Sequence, residues 1–254
     1  VIRSSFLSRM TYYEYVGFNI GSWIVSKFIG KCPAVNGSAF AVKKEVITSL
    51  KGFRRVITED LDIATRAFLK NYRFKYSKRV NVYNSVHSNW KNWITQRKRW
   101  SIGCALWVKE WHKDLLKICA KQPQIIIPSL FFLFPSIVLL LLYFFTPNLL
   151  MYKIFSLILL LLAVKLNFMF PFLWLSTISI DLINSLLTSI LSFLSFSILF
   201  FVLSKKLDFQ FKLYEFFVYY FFYSPLGLFI MIVALINVFF FERKVVKIIT
   251  DWKI

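Results

Sequence analysis

The rhythm of apolar and polar positions changes twice along this chain. Up to residue 30, Phe6, Leu7, Tyr12, Tyr13, Tyr15, Phe18, Ile20, Trp23 and Ile24 recur at roughly helical spacing and predict one or two amphipathic helices. The run Ala34–Val42 predicts a turn entering a short buried strand, with Gly37 supplying backbone freedom. A short helix is expected from Lys44 to about Leu50, closed by Gly52. The next helix spans 58–71: Thr58 caps it, Glu59 and Asp60 fill its first turn, Lys70 lies in its last, and Asn71 closes it. Leu61, Ala64, Phe68 and Leu69 mark its buried face, and strands are expected at Phe74–Tyr76 and Val80–Tyr83. This alternation predicts an α/β fold for residues 1–88.

From Trp90 to Lys121 the pattern differs. Trp93, Trp100 and Trp107 recur at seven-residue steps and Trp111 follows four later, so all four share one helical face with Lys and Arg between them. Residues 89–123 therefore read as amphipathic interfacial helices, interrupted near Gly103. Residues 124–254 read as a transmembrane region. Gln124–Phe145, Leu182–Leu203 and Phe216–Phe241 each suffice for one crossing, and Leu149–Ile180 gives one more, broken around Lys165, Asn167 and Pro171. Four crossings return Arg243, Lys244 and Lys247 to the cytosol and put Lys205 and Lys206 outside; five would reverse both placements.

Composition supports the membrane reading. The 254 residues are 58% hydrophobic and 20% aromatic, yet carry a net charge of +20. Up to Lys121 there are 23 Lys/Arg against 7 Asp/Glu, and beyond it 9 against 5, so the basic part is expected in the cytosol. Such charge attracts nucleic acid, lipid headgroups or phosphorylated substrates, and a solvated surface accounts for most individual lysines. Zinc-finger spacing, RNP-type aromatic strands and a helix-turn-helix are all absent from the sequence, which argues against nucleic acid. Cys32, Cys104 and Cys119 form no CxxC pair and read as reduced thiols. No signal-peptide profile follows Val1, and the chain reads as the remainder of something longer.

Single residues leave the chemistry open. Glu59 and Asp60 can simply favour a helix N-terminus, and a base there needs desolvation or a direct link to the acceptor. Arg97 and Arg99 can be solvated or grip lipid phosphate, Trp100 can anchor in the interface, and His87 stands alone. Taken in order, Asn36-Gly37-Ser38, Thr58-Glu59-Asp60 and Gln96-x-x-Arg99-Trp100 precede the apolar region, with 36 residues from Asp60 to Gln96. This ordered set resembles the C-terminal half of membrane-integrated family 2 glycosyltransferases, the group of cellulose, chitin and hyaluronan synthases.

The resemblance implies a partial GT-A-type catalytic domain over 1–88 and inverting transfer from a nucleotide-sugar donor to a polysaccharide or lipid-linked acceptor. It implies Asp60 as general base, supported by Thr58 and Glu59. Gln96 and Arg99, with Arg97 counted among the substrate-binding residues, would grip the donor pyrophosphate, since a guanidinium fork suits phosphate oxygens. Trp100 would stack on the acceptor sugar, and Asn36, Gly37 and Ser38 would form a loop beside it. A divalent cation, Mg or Mn, is expected for the complete enzyme. Its Asp-x-Asp ligands are not in this chain, whose one such motif, Asp60-Leu61-Asp62, belongs to the acidic triplet. The chain alone is therefore expected to be inactive, with no metal site of its own. Membrane lipid is a further expected partner. The alternative is a membrane transport or anchoring protein with a basic cytosolic domain, though no charge pairs lie inside the crossings to mark a transport path. Donor identity and processivity stay open.

Overall fold

The computed structural model of the chain describes residues 5–121, 123, 161, 165, 190, 191 and 193–241. Helix α1 (Phe6–Phe28) is one continuous element. It starts where the Ser8 N–H donates to Ser5 Oγ (3.1 Å) and the Ser5 N–H donates to Ser8 Oγ (2.8 Å), satisfying two donors reciprocally. It ends at Gly30, whose φ of 70° lets its N–H return to the Val25 carbonyl at 2.8 Å. Helix α2 (Lys44–Ser49) matches its expected bounds and closes at Gly52.

Helix α3 (Glu59–Leu69) carries Glu59, Asp60 and Asp62 in its first turn and is closed by Asn71 at φ 68°. Thr58 does not cap it as expected: its hydroxyl instead donates to the Gly103 carbonyl at 3.2 Å. Asp62 is buried against Arg54 (2.9 Å) and Arg66 (2.8 Å), and Arg66 also donates to the carbonyls of Leu50 and Gly52. This network ties α3 to the turn after α2.

The α/β expectation fails. Among the described residues there is no β-strand; the regular structure is helical, and a mixed α/β GT-A-type domain is not what this chain builds. The strands expected after the Asn36–Ser38 turn, at Phe74–Tyr76 and at Val80–Tyr83 are irregular. The physical reason is pairing. A strand needs a neighbour to complete its ladder. Here the Phe74 N–H reaches only the Gly30 carbonyl and the Tyr76 N–H reaches Ser26 Oγ, both at the end of α1.

Helix α4 (Trp90–Lys121) runs 32 residues without a break at Gly103, contrary to expectation. Gly103 serves close packing instead: a Cβ there would lie 2.6 Å from Thr58 Cγ2 and 2.8 Å from Ile57 Cγ2. The tryptophan stripe does share a face, but Trp93 and Trp107 are buried within the protein rather than turned to lipid. Trp107, Cys104 and Leu115 pack with Phe68 of α3, and the Trp107 indole N–H donates to Thr65 Oγ1 at 2.8 Å.

Positions 193–206 form helix α5, and α6 (Leu213–Phe240) follows. Among the described residues α6 is the one helix long and apolar enough to cross a membrane. It includes a π-helical turn at Tyr219–Tyr223 directly before Ser224-Pro225. A proline ring clashes with the carbonyl four residues earlier in a regular helix, and the wider turn relieves that conflict. Ala234 and Val238 of α6 pack on Ile102 and Ala105 of α4. The expected span 124–145, all of 149–180 but residues 161 and 165, and nearly half of 182–203 lie outside the described residues.

Two units divide the described residues: 5–121, 123 and 204–241 in one, and 161, 165, 190, 191 and 193–203 in the other. In the smaller one, Phe196 and Phe200 rings meet at 6.2 Å, and Ile198, Leu199 and Val202 are exposed. In the larger, Lys78 Nζ donates to the Lys206 carbonyl at 2.7 Å. Lys206 therefore lies against the segment 72–88, and most of the expected crossings fall on residues outside those described.

Candidate active site

The corner between the irregular segment 53–58 and α3 presents Asp60. Its Oδ2 accepts the Gly37 N–H at 2.7 Å and its Oδ1 accepts the Leu61 N–H at 2.8 Å. Gly37 is needed for that approach, because a Cβ would stand 2.6 Å from Asp60 Oδ2. The loop is further shaped by the Ser38 N–H donating to Asn36 Oδ1 at 3.0 Å. Two of the three sequence motifs thus meet directly.

Burial pushes the Asp60 carboxyl above the ordinary Asp value, and the charge of Glu59 adds to this; the Leu61 and Gly37 N–H groups oppose it. A desolvated carboxylate with a raised proton affinity is what a base at a helix N-terminus requires. Glu59 itself is exposed.

The third motif lies on α4, whose side meets the same corner at Gly103. Trp100 and Gln96 sit three and seven residues before Gly103, about 4.5 and 10.5 Å along the helix axis. Burial pushes the Cys104 thiol up to about 12, and the negative charge of Asp60 adds to this. Arg99 is exposed, while Gln96 and Trp100 are partly buried. Among the described residues no hydrogen bond joins Asp60 to Gln96, Arg99 or Trp100. A cavity of about 380 Å³ beneath the corner is lined by Thr58, Gly103, Trp107 and Glu110, but not by Asp60, Arg99 or Trp100.

Arg97 lies on the same stripe of α4 as Trp93 and Trp100 but is engaged by other helices of the protein. It is buried, ion-paired with Glu14 of α1, and donates to the Tyr223 hydroxyl at 3.2 Å. Its guanidinium lies 4.6 Å from the Trp100 ring and 5.4 Å from that of Trp93. Burial works against its charge, but Glu14 and the tyrosine hydroxyls around it outweigh this and raise its pKa. The Tyr223 hydroxyl also receives the Trp93 indole N–H (2.9 Å), meets Thr11 Oγ1 (3.0 Å) and donates to Glu14 (2.9 Å). Sequence reasoning missed Glu14, Thr11 and Tyr223. The available signal was Glu14 itself, the sole acid before Glu45, set among Tyr12, Tyr13 and Tyr15.

Asp60 and Asp62 do not fit a divalent cation. Asp62 is committed to two arginines and Asp60 to backbone N–H groups, and no group of three or more His, Cys, Asp or Glu could hold a metal among the described residues.

The described residues combine a helical fold, one helix apolar and long enough to cross a membrane, and a partly buried carboxylate near a basic, tryptophan-rich helix. Residues 3–241 match the model of glycosyl transferase family group 2, and the chain belongs to that family. It is similar to probable glucomannan 4-beta-mannosyltransferase 14 of Arabidopsis thaliana, 30% identical over 109 residues, covering 42% of this chain and 19% of that protein. Glucomannan 4-beta-mannosyltransferase 1 of Cyamopsis tetragonoloba is 32% identical over 114 residues, covering 44% and 20%. The chain therefore spans about a fifth of the length of these relatives. No solved structure matches it.

Proposed function

We propose that this chain is the acceptor-side and membrane portion of an inverting glycosyltransferase that moves a hexose, of the mannosyl class, from a nucleotide-sugar to a growing polysaccharide. The observation that carries the reading is the Asp60 carboxylate, desolvated and held by the Gly37 loop where α3 meets the helix bearing Gln96–Trp100. The mannosyl class rests on the names of the similar plant enzymes.

In this mechanism Asp60 takes the proton of the acceptor hydroxyl, whose oxygen attacks the anomeric carbon as the nucleoside diphosphate departs. Thr58 and Glu59 shape the corner. Gln96 and Arg99 meet the charge developing on the pyrophosphate, where a fixed cation does the most for the transition state. Trp100 offers the acceptor a ring face, and Asn36, Gly37 and Ser38 border it. Arg97 acts through Trp100 and α4 rather than on substrate. The chain spans about a fifth of its relatives' length, and in this reading the family's typical divalent cation is held by ligands elsewhere in the full-length enzyme. The excess of Lys and Arg in the site-bearing part supports a cytosolic position for it.

The test is Asp60→Asn in the full-length enzyme. Transfer from labelled nucleotide-mannose should fall by on the order of 100-fold or more while donor binding holds within about twofold. Near-normal transfer would remove Asp60 from the base role.

A further inference from the structure

Three lysines from distant parts of the sequence gather around one indole. Lys27, Lys206 and Lys78 place their ammonium groups 5.3, 5.4 and 5.5 Å from the centre of the Trp23 ring. The backbone supports are fixed. Lys27 lies in the last turn of α1. Lys78 follows a segment tied to α1 by the Tyr76 N–H on Ser26 Oγ (2.8 Å) and the Tyr76 hydroxyl on Asn19 Oδ1 (2.9 Å). Lys206 begins a turn closed by the Phe209 N–H on the Ser204 carbonyl (2.9 Å), and Lys78 itself donates to the Lys206 carbonyl.

One indole can receive a cation on a face, but three like charges around it repel one another. Among the described residues none of the three makes an ion pair with a carboxylate, and Asp208, two positions from Lys206, makes none either. The cluster therefore gathers three positive charges at one indole, with no carboxylate among the described residues to balance them.

Its position identifies the anion. The turn after Lys206 leads directly into α6, whose opening residues Leu213, Tyr214 and Phe217 are exposed, so the polar-to-apolar boundary of the protein falls here. Phe28, beside Lys27, is 72% exposed, and Trp23 is the residue type that settles at headgroup level. We propose that Lys27, Lys78 and Lys206 with Trp23 form a binding site for the phosphate of an anionic phospholipid headgroup. The assignment is independent of the transferase chemistry.

The test uses the full-length protein in nanodiscs of phosphatidylcholine with and without phosphatidylserine, with retained lipid counted by native mass spectrometry. Wild type should retain phosphatidylserine selectively. The K27Q/K78Q/K206Q variant should lose on the order of 100-fold in that preference, from roughly a fivefold effect per lysine at a membrane surface. The matching triple Lys→Arg variant should keep it, as should K43Q/K44Q/K51Q, which removes equal charge elsewhere. If the triple Gln variant does not fold, K206Q alone should show the roughly fivefold loss. Undiminished selectivity in the Gln variants would overturn the site. Displacement of the lipid by millimolar inorganic phosphate alone would overturn the lipid as its occupant.

Discussion

Replacing Glu14 by Gln tests whether the buried cation on α4 is held by charge. Arg97 is only 8% exposed at its side chain and Glu14 22%, so the pair is largely desolvated. Removing one partner of a buried pair leaves the other without compensation, at a cost of about 3–5 kcal/mol. The lower end applies here, because the introduced amide retains an acceptor for Arg97 and the Tyr223 hydroxyl stays in place. At roughly 2–4 °C per kcal/mol for a chain of this size, a ~3 kcal/mol loss lowers the unfolding midpoint by about 6–12 °C. Arg97→Met should be milder, since Glu14 keeps some solvent and the Tyr223 hydroxyl. The double variant should recover much of the Glu14→Gln loss, giving a coupling of at least ~2 kcal/mol in a double-mutant cycle. Thermal unfolding in one detergent, followed by circular dichroism, measures all three. A coupling below ~0.5 kcal/mol, the size of an exposed pair, would refute the argument that burial makes this contact strong.

Other expectations follow from the same geometry. The acid limb of kcat/KM should lie above the ordinary Asp value of 3.8, because burial raises the Asp60 pKa; the active carboxylate then forms only as pH climbs past that raised value. A limb at or under the ordinary value in the pH–rate profile would contradict it. Gly37→Ala should force Asp60 off its backbone donor and lower kcat by roughly tenfold with little change in unfolding temperature, separable by assaying both. Gly103→Ala should instead destabilise by about 1–3 kcal/mol, since its Cβ meets Ile57 and Thr58 side chains on a packed corner, and a denaturation midpoint reads this directly.

Helices that depend on local signals were legible in the sequence. Lys44 to Gly52, the acids opening α3, Asn71 closing it, and the apolar run of α6 each carry their own start or stop. What depends on a partner was not. Val80 and Val82 alternate like a strand, but alternation does not supply the neighbouring ladder, and both are exposed. The tryptophan spacing identified one face of α4 without saying what covers it: lipid, water or, as found, α3 and α6. Glu14 and Tyr223 lie 83 and 126 residues from Arg97, beyond any local pattern. Of the candidate site, the meeting of Asp60 with the Gly37 loop follows the order of motifs, whereas the inward turn of Arg97 depends on the α1 and α6 contacts.

The unbroken course of α4 has a mechanical meaning. Between Trp90 and Lys121 it runs as one helix, its flank packed on α6 while Gly103 meets the Thr58 corner. The packing of the apolar helix α6 and that of the Asp60-bearing corner therefore share a single continuous rod.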